Sequence, residues 1–333
     1  MPASFSIDDP AHWRRRAKEE QTLADEMKDE TFSQMMLQMA EGYERLAKHL
    51  EAKKHYCIKV VRSWDEFVGI VSFHEGRWVY RGQQKDWPLQ SSLERYIRAW
   101  DSDIALSPTI ERQMIRDFRR RYPDHADAAI HEDTLYCLAM MQHHGAPTRL
   151  MDWTYSPFVA AKFAAEEGTK DAVIWCVNTK WCQPTAEAEP VVGNVLKLRN
   201  DDAFRNDLTF RRIYLDAQRQ FVCLENPLPL NQRLVLQRGL FLCPGDISVG
   251  FQKNIEAMDG WDLEQNLVKL VFRLDKTQVA RFADHLKQMN MTSAVLFPDF
   301  DGFAFSFREL ILHYENLARQ DTGGAGSTVP MWL

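Results

Sequence analysis

A chain of 333 residues with 45% hydrophobic and 26% charged residues has the composition of a soluble globular protein, one large domain or two ordinary ones. That is enough apolar side chain to bury a core without staples. The net charge of −6 excludes a whole-chain argument for nucleic acid or an anionic membrane and leaves only local basic segments to weigh.

The start, Met1-Pro2-Ala3-Ser4-Phe5-Ser6-Ile7-Asp8, lacks the basic and apolar regions of a signal peptide. No apolar run approaches the roughly 20 residues that cross a bilayer. The six cysteines are dispersed with no Cys-x-x-Cys pair, which reads as reduced, mostly buried thiols and no metal site. The expectation is a cytoplasmic protein with no membrane association.

Along the chain, Asp9-Pro10 predicts a helix N-cap followed by proline at the first helical position. Trp13, Ala17, Ala24 and Met27 recur at helical spacing. After a break near Lys28-Asp29-Glu30-Thr31 a second stripe follows: Met35, Met36, Met39, Tyr43, Leu46, Ala47 and Leu50. Two such stripes make an antiparallel helical hairpin over residues 1–54, with the methionines read as core packing. A hairpin burying so little needs a surface to dock on: the main domain, a second copy or a protein partner.

The main domain is read over 55–319. Ile58–Val61 and Trp78–Arg81 are strands, with a helix over Ser63 to Phe73 between them. Helices follow at 109–122, 132–143 and Phe158 to Glu167. Ala172–Val177 is a continuous apolar run and so a well-buried strand. Residues 183–230 are irregular and punctuated by proline, with a helix around 209–220. Arg233–Gln237 and Gly239–Leu242 read as strand, then Leu267 to Leu274 as strand and Thr277 to Met289 as helix. Ala294–Phe297 is a short apolar segment, and a final helix follows Gly302. The mixture has no regular βαβ rhythm and predicts an α+β fold: a mixed or antiparallel sheet core with surrounding helices, preceded by the helical hairpin. Residues 320–333 are glycine-rich and read as a flexible tail.

Phosphate-loop, dinucleotide-fingerprint, nucleophile-elbow and zinc-helix motifs are all missing. What stands out is Tyr80-Arg81-Gly82-Gln83, a guanidinium at a strand end beside a glycine that permits close backbone approach. Arg81 either binds a phosphate or carboxylate or pairs internally with Asp or Glu. The segment Gln142-His143-His144-Gly145-Ala146-Pro147-Thr148-Arg149-Leu150-Met151-Asp152-Trp153-Thr154 gathers two imidazoles, a guanidinium, a carboxylate and an indole around a Gly/Pro turn. Arg149 and Asp152 can alternatively pair with each other and hold the loop. Arg233 and Gln237, read on one strand, share a face. In Phe297-Pro298-Asp299-Phe300-Asp301-Gly302 the Asp-Gly step reads as helix capping. Arg116, Arg119, Arg120 and Arg121 lie on a helix near Tyr122, where they form either a solvated face or a nucleic-acid contact.

These segments, with Trp87-Pro88-Leu89-Gln90-Ser91-Ser92-Leu93 and Gln237-Arg238-Gly239-Leu240-Phe241, resemble the FRG domain family of bacteria and phages. Tyr80 stands where the family motif opens with Phe. A more distant likeness is to ADP-ribosyltransferases of the Arg–Ser–Glu class. In these an aromatic-Arg strand holds an NAD phosphate, a Ser-Thr-Ser strand precedes an Ala-x-x-Phe helix, and a third strand supplies Glu or Gln.

That likeness implies NAD as substrate, with Tyr80, Arg81, Gly82, Gln83, His143, Arg149 and Thr154 binding it. Arg81, Asp152 and Gln237 would carry the reaction, no metal would take part, and a protein or RNA would be the acceptor. Glu187-Ala188-Glu189, in an irregular stretch, does not serve as the third element. The expectation is an ADP-ribosyltransferase-like bacterial toxin or anti-phage effector. The alternatives are a non-catalytic sensor that binds a nucleotide-like small molecule, and a nucleic-acid-directed nuclease or modifying enzyme.

Overall fold

The computed structural model describes residues 10–27, 29–51, 56–122, 129–165, 171–227 and 232–298, with positions 304 and 307. The chain forms two compact units, Met1–His55 and Tyr56–Leu333.

In the first unit, helices Pro10–Glu26 and Glu30–Glu51 pack side by side. Ala17, Ala24 and Ala40 are buried, and their small side chains let the two backbones approach. Trp13 lies against Tyr43, ring centroids 5.5 Å apart, and Ser33 Oγ donates to the Ala24 carbonyl at 3.0 Å. Met35 and Met39, expected in the core, are instead exposed, as are Leu23, Met27, Phe32 and Leu37. Two helices have only one shared seam, and the alanines and Tyr43 occupy it. The N-cap expected at Asp9 and the side chains of Leu46, Ala47 and Leu50 lie outside the described residues.

The second unit is α+β. Its strands are β1 (Cys57–Val61), β2 (Trp78–Gln83), β3 (Met151–Thr154), β4 (Val173–Asn178), β5 (Val222–Glu225), β6 (Gly239–Pro244) and β7 (Leu267–Phe272). They form one sheet in the order β1-β7-β4-β2-β3-β6-β5, antiparallel throughout except for β1 beside β7. The interior strand β4 is buried on both faces, which is why its sequence reads as an unbroken apolar run. One face of β2 and β4 carries Val79, Trp175 and Val177 into a core shared with Trp153, Leu138 and Phe210. The other carries Tyr80, Ile174 and Cys176 against helix Pro157–Ala165 and its row Ala160, Ala161 and Ala164. All six cysteines are free thiols, buried except for the partly buried Cys57. Among the described residues no helix is long and apolar enough to cross a membrane.

The sheet is nearly severed in the middle. Strand β2 pairs with β4 over six positions but with β3 at one position alone, Tyr80 opposite Thr154. Beyond that pair the strands diverge, and Arg81 Nη1 donates to the Asp152 carbonyl at 2.7 Å in place of a ladder bond.

Two expectations are corrected. Arg233–Gln237 is not a strand; Gln232–Leu236 is a short helix. It closes through Gln237 N–H to the Arg233 carbonyl and Arg238 N–H to the Val235 carbonyl, with Arg238 at φ 47° turning the chain into β6. Leu234 is buried while Val235 and Leu236 face outward, which an apolar run too short to show a period conceals. Residues 183–230 are also more ordered than expected. Helices Thr179–Glu187, Gly193–Leu198 and Asp207–Arg211, a π-turn at Arg212–Asp216 and β5 occupy most of the stretch. Pro184 sits inside the first of these helices, so proline there marks no break. The helix expected after Gly302 lies outside the described residues.

Candidate functional site

The divergence of β2 and β3 opens a recess of about 210 Å³ lined by Tyr80, Arg81, Gly82, Asp152, Trp153, Thr154, Phe163, Arg233 and Gln237. A shallower one of about 70 Å³ adjoins it, sharing Asp152, Arg233 and Gln237 and adding Gln142 and His143. Arg81, Asp152 and Gln237, far apart in sequence, therefore meet at one place. Strands β2, β3 and β6 supply or abut all three, and Gln237 stands two residues before β6.

The groups differ in how they are held. Arg81 uses Nη1 on the Asp152 carbonyl, while its buried Nε has no hydrogen-bond partner, and neither does the buried indole N–H of Trp153. An unmet buried donor costs about 1–3 kcal/mol, and both belong to residues that line the recess. Burial pulls the Arg81 guanidinium below its ordinary value; the Asp152 carboxylate partly restores it, and Arg95 adds to the lowering. Arg233 lies over the Phe297 ring, 4.5 Å from its centroid. Among the described residues neither arginine forms an ion pair. Two guanidiniums set against the single carboxylate of Asp152 leave the recess with an excess of positive charge that suits an anion.

The Asp152 carboxylate is oriented, not idle: Gln142 Nε2 donates to its Oδ1 at 2.8 Å, and the Gln142 side-chain oxygen accepts from the Thr148 hydroxyl. Gln142 and His143 reach this position at the end of helix Thr134–His143, which Gly145 terminates at φ 83°. His143 lines the shallower recess, whereas His144 is exposed. Gln237 donates its amide to the Leu296 carbonyl at 3.1 Å, and its own backbone carbonyl accepts from the Thr154 hydroxyl at 2.7 Å. Thr154 also accepts from the Ser156 N–H, so its hydroxyl ties β3 to the turn before β6.

Several expected ligand residues sit elsewhere. Arg149 is buried and its guanidinium is fully engaged: Nε donates to Glu111 at 2.8 Å, Nη2 to the same carboxylate, and Nη1 to the Tyr214 carbonyl at 2.7 Å. Burial lowers its pKa, but Glu111 more than offsets this and the net shift is upward. The alternative Arg149–Asp152 pair is thus replaced by Arg149–Glu111. Gln83 is buried outside the recess and accepts from the Trp175 indole at 3.1 Å. The close approach that Gly82 permits is made by helix Pro157–Ala165: a Cβ there would overlap the Ala160 carbonyl oxygen and lie 2.8 Å from the Ala164 nitrogen. Asp299, Asp301 and Gly302 lie outside the described residues. Arg233 and Phe163 line the recess although the sequence does not single them out as ligand residues. The segment holding Arg233 reads as strand, which hides its position, and Phe163 reads as one more apolar position on its helix.

Tyr80 turns its hydroxyl away, 2.8 Å from His74 Nδ1. Burial, with Lys59 nearby, lowers the His74 pKa from 6.5 to about 4. The unfolded chain therefore takes up a proton near pH 6.5 while the folded state resists until about pH 4. Stability is expected to be flat with respect to this group above pH 6.5 and to fall as pH drops from 6.5 to 4. Urea midpoints across that range check it: His74→Gln should flatten the slope, and an unchanged slope would contradict the assignment.

Residues 76–172 match the FRG domain model, so the chain carries an FRG domain. The match runs from just before β2 to just before β4, and includes Arg81, Asp152 and helix Pro157–Ala165 but not Gln237 or β6. No curated protein and no solved structure gives a match to the chain. Among the described residues no group of three or more His, Cys, Asp or Glu side chains is placed to hold a metal.

Proposed function

We propose that the chain is an ADP-ribosyltransferase-like enzyme that takes NAD as its substrate at the β2/β3 cleft. The observation that carries this reading is the convergence of Arg81, Arg233, Asp152 and Gln237 on one recess between indole and phenyl walls. At about 210 Å³ the recess is smaller than a whole-ligand pocket and suits one end of a dinucleotide, a ring with its sugar. Trp153 and Phe163 flank the ring, and Arg81 with Arg233 holds the phosphates.

In the reaction, the bond between the ribosyl carbon and nicotinamide breaks with its electron pair leaving on the nicotinamide nitrogen. The sugar takes on positive charge as this happens. Asp152, fixed by Gln142, offers its carboxylate to that charge. The acceptor, a protein or RNA group or water, bonds to the same carbon and releases a proton.

Labelled NAD incubated with the folded protein and a cell lysate is expected to yield free nicotinamide and labelled product. Asp152→Asn should slow that release about 10²–10³-fold while leaving NAD affinity within a few-fold. Absence of both release and label transfer by the wild-type protein overturns the enzymatic reading.

A sensor that binds the same ligand without turnover is the second reading, favoured by Gln237. An amide bonded to the Leu296 carbonyl cannot do what a carboxylate would. NAD binding with no nicotinamide release selects it.

A further inference from the structure

A second concentration of positive charge lies away from the cleft. Helix Ser107–Arg121 presents Arg112, Arg116, Arg119 and Arg120 to a cavity of about 570 Å³ that Arg211 and His131 complete. The spacing i, i+4, i+7, i+8 puts the four arginines on one helix face over about 12 Å.

Hydrogen bonds hold two of the four. Arg119 donates to the Ile130 carbonyl at 2.9 Å and to the Thr134 hydroxyl at 3.2 Å, and Arg112 donates to the Leu215 carbonyl. The carboxylates in reach are at the limit of ion pairing: Asp216 to Arg112, Asp117 to Arg116 and Asp207 to Arg211, each 3.9 Å. Asp207 is also engaged by the Thr134 N–H at 2.7 Å. Among the described residues no carboxylate pairs with Arg119 or Arg120. In a chain of net charge −6, five guanidiniums face one cavity with three carboxylates at the edge of pairing distance, a local excess of positive charge.

We propose that this cavity binds a chain of phosphates, presented by a single-stranded nucleic-acid backbone or by a nucleotide polyphosphate. Guanidiniums arrayed along a line match successive phosphate groups, and their planar forks engage phosphate oxygens in pairs. None of these residues lines the β2/β3 recess, so the proposal stands independently of the reading of that site.

The test is fluorescence anisotropy with a labelled single-stranded uridine 12-mer RNA between 50 and 200 mM NaCl, with titration calorimetry of inorganic tripolyphosphate alongside. The RNA is expected to bind with an affinity that falls steeply with salt. The variant Arg116→Gln/Arg120→Gln changes two exposed positions and should keep the wild-type melting temperature. It should lose about 1.4 units of the log–log salt slope, an affinity change between 50 and 200 mM smaller by about sevenfold. Tripolyphosphate binding that depends on these arginines, without RNA binding, assigns the cavity to a free polyphosphate. The proposal is overturned if neither probe binds at 50 mM salt, or if the double variant binds both as the wild type does.

Discussion

Glu111→Gln is expected to destabilise the protein by about 3–5 kcal/mol, because it leaves the Arg149 guanidinium buried without its counter-charge. Both side chains are sealed, at 1% and 2% exposure. Arg149 joins helix Ser107–Arg121 to the π-turn through the Tyr214 carbonyl, and the Tyr214 hydroxyl in turn donates to Glu225 at 2.8 Å. Glu225 accepts from Arg199 at 2.7 Å, a second sealed pair bracing β5. The loss should appear as a drop of about 1 M or more in the urea midpoint. The double change Glu111→Leu/Arg149→Met should recover much of it, since no charge is then stranded. If Glu111→Gln left stability intact and weakened ligand binding instead, Arg149 would be a ligand residue after all.

Gly82→Ala is the other large effect. The added methyl would overlap the Ala160 carbonyl, which belongs to a helix wedged against β2 and cannot yield as a flexible side chain would. The cost is expected at or above the top of the ~1–3 kcal/mol range for overpacking, a fall of roughly 5–10 °C in melting temperature. Gly145→Ala is a useful contrast. Nothing crowds Gly145, so only its φ of 83° is strained, and the penalty should be about 1 kcal/mol. Equal effects at the two glycines would contradict the helix contact at Gly82. Because that helix also carries Phe163, Gly82→Ala should disturb the recess as well as the fold.

The fold is legible in the sequence where one physical cause dominates. Strand β4 announces itself as Ala172-Val173-Ile174-Trp175-Cys176-Val177 because both its faces are covered, and helix Trp64–Ser72 because Ser63 caps it. It is illegible where tertiary contacts choose between near-equal local options. Leu234-Val235-Leu236 suits strand or helix, and what decides is a left-handed Arg238, a conformation that no residue type signals there. In the candidate site, the motif residues Arg81 and Asp152 are visible as polar groups set beside Gly and Pro. Their meeting with Gln237 depends on β2, β3 and β6 being neighbours, which follows from the strand order and not from spacing. Arg149 reads as equally functional by its neighbours in sequence. Its partner Glu111 lies 38 positions earlier, on helix Ser107–Arg121, beyond any local pattern.

The most direct test of the central claim, that the β2/β3 cleft is a dinucleotide seat organised by Arg81, is calorimetric titration of NAD into the folded protein and into Arg81→Gln. The account predicts saturable binding by the wild type, and at least tenfold weaker binding by a variant whose melting temperature confirms that it is folded. An intact wild type that takes up no NAD, or an Arg81→Gln variant that binds it equally well, would contradict the account.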